Sequence, residues 1–193
     1  MTLTVLDAKT ALVVIDLQKG LMSYPVAHPM DVVVKQASLL AQTFRRRGLP
    51  VVLVNADGVA PGRTEQARGQ HLPTAEDWTD LIPELNRQPQ DHLVTKRTHG
   101  AFTNTDLEAY LKAQAVTQVV IVGVATSIGV EATARHAYEL GFNVSLAVDA
   151  MTDLGLEAHN NSVAHIFPRI GETGATQDVI DLLEARAASP SDS

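Results

Sequence analysis

The chain has 193 residues, of which 45% are hydrophobic and 19% are charged, and its formal net charge is −7. This length predicts one domain, since domains have about 150 residues, and the apolar content excludes intrinsic disorder. The negative charge argues against a nucleic-acid surface or a polybasic membrane segment, and the absence of cysteine excludes disulfides, thiolate metal sites and a cysteine nucleophile.

The first nine residues lack the basic region and continuous apolar stretch of a signal peptide. No apolar run approaches the length of about 20 residues that a membrane helix needs. We therefore expect a soluble, cytoplasmic protein that binds neither nucleic acid nor a membrane. Residues 1–186 are expected to form the domain, and the small, polar residues 187–193 a flexible tail.

Short apolar runs rich in valine and isoleucine predict buried strands at residues 11–15, 50–54 and 118–122. Another candidate strand ends near Val94. Residues 143–148 predict a further strand, and residues 169–173 a short edge strand.

Amphipathic stretches alternate with these runs and predict helices at residues 31–47, 106–113, 131–140, 156–167 and 175–187. Strands that alternate with helices indicate a parallel, doubly wound sheet with right-handed crossovers. The predicted fold class is therefore α/β, a three-layer Rossmann-like sandwich. Ligands in such folds bind outside the carboxyl ends of the strands.

The polar segment at residues 55–90 is rich in proline and glycine and contains the single tryptophan, Trp78. It is too long for an ordinary connection between a strand and the next element. We expect it to be a functional lid or a contact between subunits of an oligomer.

Three features follow predicted strands at the edge where ligands bind. Asp16 follows the first strand, Lys96 follows Val94, and a glycine-containing turn at residues 123–130 leads directly into a helix. Taken singly, the aspartate is typical of a loop or helix cap and the lysine of a solvated surface. Together, an acid and an ammonium at one site could move a proton, and the free N–H groups of the turn could bind an anion or oxyanion.

Segments 13–18, 96–107 and 123–134 together resemble the isochorismatase-like hydrolase family, which includes cysteine hydrolases and nicotinamidases. The resemblance extends to about Leu183. It implies a six-stranded parallel sheet, a homodimer or larger homo-oligomer, and a cis peptide before Ala125. The family's Asp-Lys-Cys triad maps to Asp16, Lys96 and Gly129, and its oxyanion hole to the backbone N–H groups of Ala125 and Gly129.

Glycine at position 129 departs from most of the family and excludes thioester chemistry. True isochorismatases resemble this chain in having glycine there, and they cleave a vinyl ether with the aspartate as proton donor. They typically have a tyrosine where this chain has Ala125, which argues against isochorismate itself. We expect the substrate to contact four residues of the matching segments, namely Gln18, His99, Phe102 and Val124.

The metal-binding branch of the family has an Asp-x-His pair after the second strand, and this chain has none there. We therefore predict no active-site metal and no cofactor, with His71 a loop residue. His28 could line the mouth of the pocket, whereas His136, His159 and His165 are interpreted as structural.

Three functions remain open from the sequence. The first is a hydrolase that uses Asp16 and Lys96 in acid–base chemistry. The second is a catalytically silent relative that binds a ligand or partner in the same pocket. The third is an amidase with a substitute nucleophile, for which Thr126 and Ser127 are the candidates.

Overall fold

A six-stranded sheet forms the centre of the protein, whose computed structural model describes residues 3–65 and 75–188. The strands are β1 (Thr10–Ile15), β2 (Val51–Ala56), β3 (His92–Lys96), β4 (Gln118–Val124), β5 (Asn143–Thr152) and β6 (Glu172–Gly174). Their order is β3-β2-β1-β4-β5-β6, and every neighbouring pair is parallel. This confirms the predicted α/β fold and the six-stranded parallel sheet.

Within residues 3–65 and 75–188, four α-helices pack on the two faces of the sheet, and a fifth packs on the turn after β4. They are α1 (Met30–Arg46), α2 (Leu107–Ala113), α3 (Glu131–Glu139), α4 (Leu156–Asn161) and α5 (Thr176–Ala188). Alternate residues of β1 point to opposite faces: Leu12 joins the core under α1 and α5, whereas Val13 joins the core under α2 and α3. Both faces of the sheet are therefore covered, which explains why its strands are continuous apolar runs rather than alternating ones.

The predicted elements agree with the structure except near the C-terminal half of the sheet. The predicted helix at residues 156–167 is α4 followed by a π-helical turn (Ser162–Ile166) and a 3₁₀ turn (Phe167–Arg169). The N–H groups of Ile170 and Gly171 both donate to the carbonyl of Phe167 in that last turn, so they are not available to the sheet. The short edge strand is present but consequently begins at Glu172 rather than at residue 169, so its predicted start was wrong.

The strand order reverses between β1 and β4. From β1 the chain first adds β2 and β3 on one side, and it then returns to add β4, β5 and β6 on the other side. Doubly wound α/β proteins bind ligands at such a reversal, outside the carboxyl ends of the strands, which here are the ends of β1 and β4. Among the described residues, no helix is long and apolar enough to cross a membrane.

The predicted lid segment, residues 55–90, is described except for residues 66–74, and His71 lies outside the description. Its second part packs on the loop after β1: the carbonyl of Trp78 accepts hydrogen bonds from the N–H of Gly20 and from Nε2 of Gln18. This contact places the segment beside the carboxyl end of β1. Its role as a lid or subunit contact stays a prediction.

Candidate active site

Asp16 is the first residue after β1, and its backbone adopts the left-handed conformation with φ 52°. Its N–H donates to the carbonyl of Val54 on β2, and its carbonyl accepts from the N–H of Gln18. Aspartate tolerates this conformation better than most residues. The turn directs the side chain into the protein, where Asp16 is only 6% exposed.

Lys96 is the last residue of β3 and forms an ion pair with Asp16. The distance from its Nζ to Oδ2 of Asp16 is 2.8 Å, and Nζ also donates to the carbonyl of His99 at 2.7 Å. Lys96 is 3% exposed. Because β2 lies between β1 and β3, the lysine side chain reaches across the ends of the strands to meet the aspartate.

Burial controls the protonation of Asp16. It raises the pKa of Asp16 to about 6, although the charge of Lys96 and its hydrogen bond act in the opposite direction. The other carboxyl oxygen, Oδ1, is buried and has no hydrogen bond to a described residue. An unpartnered buried oxygen of this kind is costly in a folded protein, and such groups occur at sites with a catalytic role or a bound water or ion.

The turn after β4 lies against Asp16. Gly123 has φ 115°, and a Cβ there would collide with the carbonyl of Ile15, so only glycine allows this approach of β4 to β1. The Val124–Ala125 peptide is cis, as the family resemblance implied. A π-helical turn, Thr126–Val130, follows and leads into α3.

Gly129 lies in this turn and faces the aspartate. A Cβ built on it would be 3.4 Å from Oδ2 of Asp16, 3.2 Å from the carbonyl oxygen of Val124 and 2.9 Å from Cγ2 of Ile15. The structure therefore brings Asp16, Lys96 and Gly129 together at the ends of three strands. The spacing also shows that a side chain at position 129 would press on the buried Ile15.

The four expected substrate contacts occupy different environments. Gln18 is fully buried, and its amide bonds both the N–H and the carbonyl of Ala56, so it ties the loop after β1 to β2. Phe102 is 6% exposed and packs against Phe142 and His136. Val124 is 5% exposed, and His99 offers its carbonyl to Lys96 while its ring lies at the surface. Their contact with a substrate stays a prediction.

Sequence reasoning missed a polar cluster on the β5 side of the turn. Nδ1 of His159 is 2.9 Å from Oγ1 of Thr126, and Asp153 accepts the N–H of Ser127 at 2.6 Å. His28 contacts Thr152 at the end of β5. No local sequence pattern indicates this cluster, because its members come from β5, α4, the π-helical turn Thr126–Val130 and two loops.

The position that corresponds to the metal ligands of some relatives holds an ion pair. Asp57 follows β2 and bonds Arg97 at 2.8 Å, while the amide of Asn55 bonds Thr79 and Thr95. Within residues 3–65 and 75–188, no three acidic or imidazole side chains are arranged to hold a metal ion.

A doubly wound α/β sheet with a buried acid–ammonium pair at its reversal point defines a ligand-binding or catalytic α/β domain. The chain matches the model of the Isochorismatase domain over residues 10–178. The isochorismatase family protein YecD of Escherichia coli O157:H7 is 40% identical over 185 residues, which cover 92% of this chain and 98% of that protein. This chain therefore belongs to the isochorismatase family.

Two further similarities agree with this assignment. The structure of an isochorismatase family protein from Burkholderia thailandensis has a TM-score of 0.88 and 37% identity, and it covers 93% of this chain and 98% of that one. The streptothricin hydrolase of Streptomyces noursei is 32% identical over 185 residues, which cover 93% of this chain and 64% of the hydrolase. The relatives of this chain thus include hydrolases.

Proposed function

We propose that the protein is a small-molecule hydrolase in which Asp16 and Lys96 perform acid–base chemistry without a covalent enzyme intermediate. The observation that carries the proposal is the buried Asp16–Lys96 pair, whose free carboxyl oxygen lies at the ligand-binding edge of the sheet. Since the chain contains no cysteine, a thioester intermediate is impossible. Acid–base groups of this kind typically accelerate a reaction about 10²–10⁴-fold.

The raised pKa of Asp16 favours the role of proton donor, because burial outweighs the effect of Lys96. A vinyl ether is the substrate class that needs such an acid. Protonation of its terminal carbon by Asp16 draws the electrons of the double bond to that carbon and leaves an oxocarbenium ion. Water adds to the cationic carbon and returns a proton to Asp16, and the resulting hemiketal breaks into a carbonyl compound and an alcohol.

The other positions have supporting roles in this proposal. Lys96 stabilises the carboxylate that forms when Asp16 loses its proton. The backbone N–H groups of Ala125 and Gly129 are the proposed donors to the alcohol oxygen that leaves when the hemiketal breaks, because negative charge develops on that oxygen. Gly129 leaves space for substrate or water next to the aspartate, where most relatives would place a cysteine.

An amidase with a substitute nucleophile is less consistent with the geometry. The Thr126 hydroxyl does lie within hydrogen-bond distance of an imidazole, as an activated nucleophile requires. However, neither Thr126 nor Ser127 occupies the position of the family's cysteine, which is Gly129, and it is Gly129 that faces Asp16. A silent relative that only binds a ligand remains the second candidate, because it would retain the same pocket.

The test is a turnover screen of vinyl ethers, small amides and imides, followed by Asp16→Asn on the substrate that is found. We expect Asp16→Asn to lower kcat by about 10²–10⁴-fold, because the amide cannot donate the proton. Asp57→Asn is the matched control, since Asp57 also follows a strand but pairs with exposed Arg97, and it should retain wild-type turnover. Near-wild-type rates in Asp16→Asn would remove Asp16 from the mechanism and favour the silent binder.

A further inference from the structure

The Asp16–Lys96 pair spans a strand, so its geometry depends on how three strand ends are held together. Asp16 follows β1 and Lys96 ends β3, while β2 lies between them. Strand β1 stops at Ile15, which pairs with Val54, and β2 continues for two more residues to Ala56. The backbone pairing of β1 with β2 thus ends before Ala56, and a side chain takes its place.

The side-chain amide of Gln18 supplies this link. Its oxygen accepts the N–H of Ala56 at 2.7 Å, and its Nε2 donates to the carbonyl of Ala56 at 3.1 Å. Because only the amide oxygen can accept an N–H, these two bonds also define the orientation of the amide. A side-chain amide has the same kinds of donor and acceptor as a peptide group, so Gln18 bonds β2 as a further strand residue would.

Ala56 connects this link to the lysine. It pairs with Lys96 in the register of β2 and β3, and the N–H of the next residue, Asp57, donates to the carbonyl of Lys96 at 2.9 Å. A continuous path therefore runs from Asp16 through Gln18 and Ala56 to Lys96. It consists of a short piece of chain, the two amide hydrogen bonds and a strand pairing.

The conformation of Asp16 needs such support. Its φ of 52° lies in the left-handed region, which is unfavourable for residues other than glycine. Conformations of this kind persist where the surrounding structure determines them. The backbone N–H of Gln18 donates to the carbonyl of Asp16 at 2.9 Å, so the same residue closes the turn and anchors it to β2.

Gln18 has no donor left for a substrate. Its Nε2 also donates to the carbonyl of Trp78 at 3.1 Å, so both N–H groups of the amide are used within the protein. Gln18 is 0% exposed. A side chain in this environment fixes other groups of the protein and does not bind a ligand.

We propose that Gln18 is a positioning residue, which holds Asp16 at the required distance from Lys96 and does not itself contact the substrate. This proposal rests on the acid–base function above and replaces the substrate contact that the sequence suggested for Gln18. The link matters because the effect of a positive charge on a carboxylate decreases as the distance between them grows. Loss of the link should weaken the influence of Lys96 on Asp16 without removing either residue.

The test is a double-mutant cycle that measures the pKa of Asp16 and requires no substrate. The pKa is taken from the pH dependence of the Asp16 carboxyl ¹³C signal, in proteins with and without Lys96→Met. Because the lysine lowers this pKa, Lys96→Met should raise it. Gln18→Met keeps the length of the side chain and removes its hydrogen bonds, and in this background we expect the rise to fall to less than about half.

Gln118→Met is the matched control. Gln118 is also a buried glutamine whose amide bonds a backbone N–H and a backbone carbonyl, those of Asp7 and Val5, but it lies at the amino end of β4. Both glutamine substitutions should destabilise the fold, because they leave buried backbone groups without a partner. Only Gln18→Met should reduce the effect of Lys96 on Asp16.

An undiminished effect of Lys96 in the Gln18→Met background, or an equal reduction with Gln118→Met, would overturn the proposal. Gln18→Asn serves if Gln18→Met does not fold. It keeps an amide that is one methylene too short to reach Ala56, and the same reduction is expected.

Kinetics on the substrate found in the screen separate positioning from binding. Gln18→Met should lower kcat, by about 10²-fold for a displacement of about 1 Å, and leave KM nearly unchanged. A raised KM at wild-type kcat would make Gln18 a substrate contact and contradict the proposal. The two proposals fail separately: an active Asp16→Asn protein removes the acid–base mechanism, whereas an undiminished effect of Lys96 in Gln18→Met removes only the positioning role.

Discussion

At the residue scale, the chemistry depends on the pKa of Asp16, which burial raises and Lys96 lowers. Burial has the larger effect, and it raises the pKa of Asp16 to about 6, so the carboxyl group is protonated below this pH and ionised above it. A reaction that needs Asp16 as an acid should therefore lose kcat/KM above pH 6, by about tenfold for each pH unit. A rate that instead rises through pH 6 would make Asp16 a base.

Replacement of Lys96 by methionine tests the origin of this pKa. Because the lysine charge and hydrogen bond lower the pKa of Asp16, their removal should raise it above 6. The measurement is the pH dependence of the Asp16 carboxyl ¹³C signal, which requires no substrate. Lys19→Met is the control, because Lys19 pairs with the exposed Asp77 and Asp80. An unchanged or lowered pKa in Lys96→Met would show that Lys96 does not stabilise the carboxylate.

At the scale of elements, the strand ends were predictable and the contacts between distant elements were not. The runs that became β1, β2 and β4 are continuous and β-branched because both faces of the sheet are covered. Asp16 could be found from the sequence because it follows such a run, and Lys96 because it comes soon after the apolar pair Leu93-Val94 where the chain leaves the sheet. The extension of β5 to Thr152 was missed, since it depends on pairing with β4 beyond an irregularity between Ile121 and Gly123.

The contacts of His159 also could not be predicted from the sequence. His159 was interpreted as structural because its sequence neighbours suggest only an amphipathic helix. Its contact with Thr126 arises from the way α4 packs over the turn after β4, 33 residues away in the chain. A single sequence contains no local signal for a contact of this kind.

The close packing of Gly129, in the turn after β4, leads to a separate prediction about stability. Gly129→Ala or Gly129→Cys should destabilise the protein by about 1–3 kcal/mol, because the new Cβ would lie 2.9 Å from the Cγ2 of Ile15, a fully buried strand residue. Urea denaturation measures the effect. Gly62→Ala is the control, since a Cβ there meets nothing within 4 Å, and it should change stability by less than about 0.5 kcal/mol. A Gly129→Ala protein as stable as the wild type would refute the steric explanation.

At the scale of the whole molecule, a groove of about 820 Å³ lies beside α1 and the 3₁₀ turn Pro83–Leu85. Its apolar lining residues are Met22, Met30, Val34, Leu39, Ile82 and Pro83. Its charged lining residues have both signs: Lys19 and Lys35 against Asp31 and Glu84. A surface that carries both charges beside apolar residues can complement itself in a two-fold dimer, where the same patch meets its own copy.

We therefore expect the protein to be a homodimer or larger homo-oligomer, with the groove in the contact between subunits. Light scattering should give a mass of at least twice the chain mass of 20.7 kDa. Met30→Glu should shift the protein toward the monomer, because it places a charge in the apolar lining. Val32→Glu is the matched control on the same helix, since Val32 is 46% exposed and does not line the groove. A wild-type monomer at all micromolar concentrations would disprove the assembly, and an unchanged mass in Met30→Glu would place the contact elsewhere.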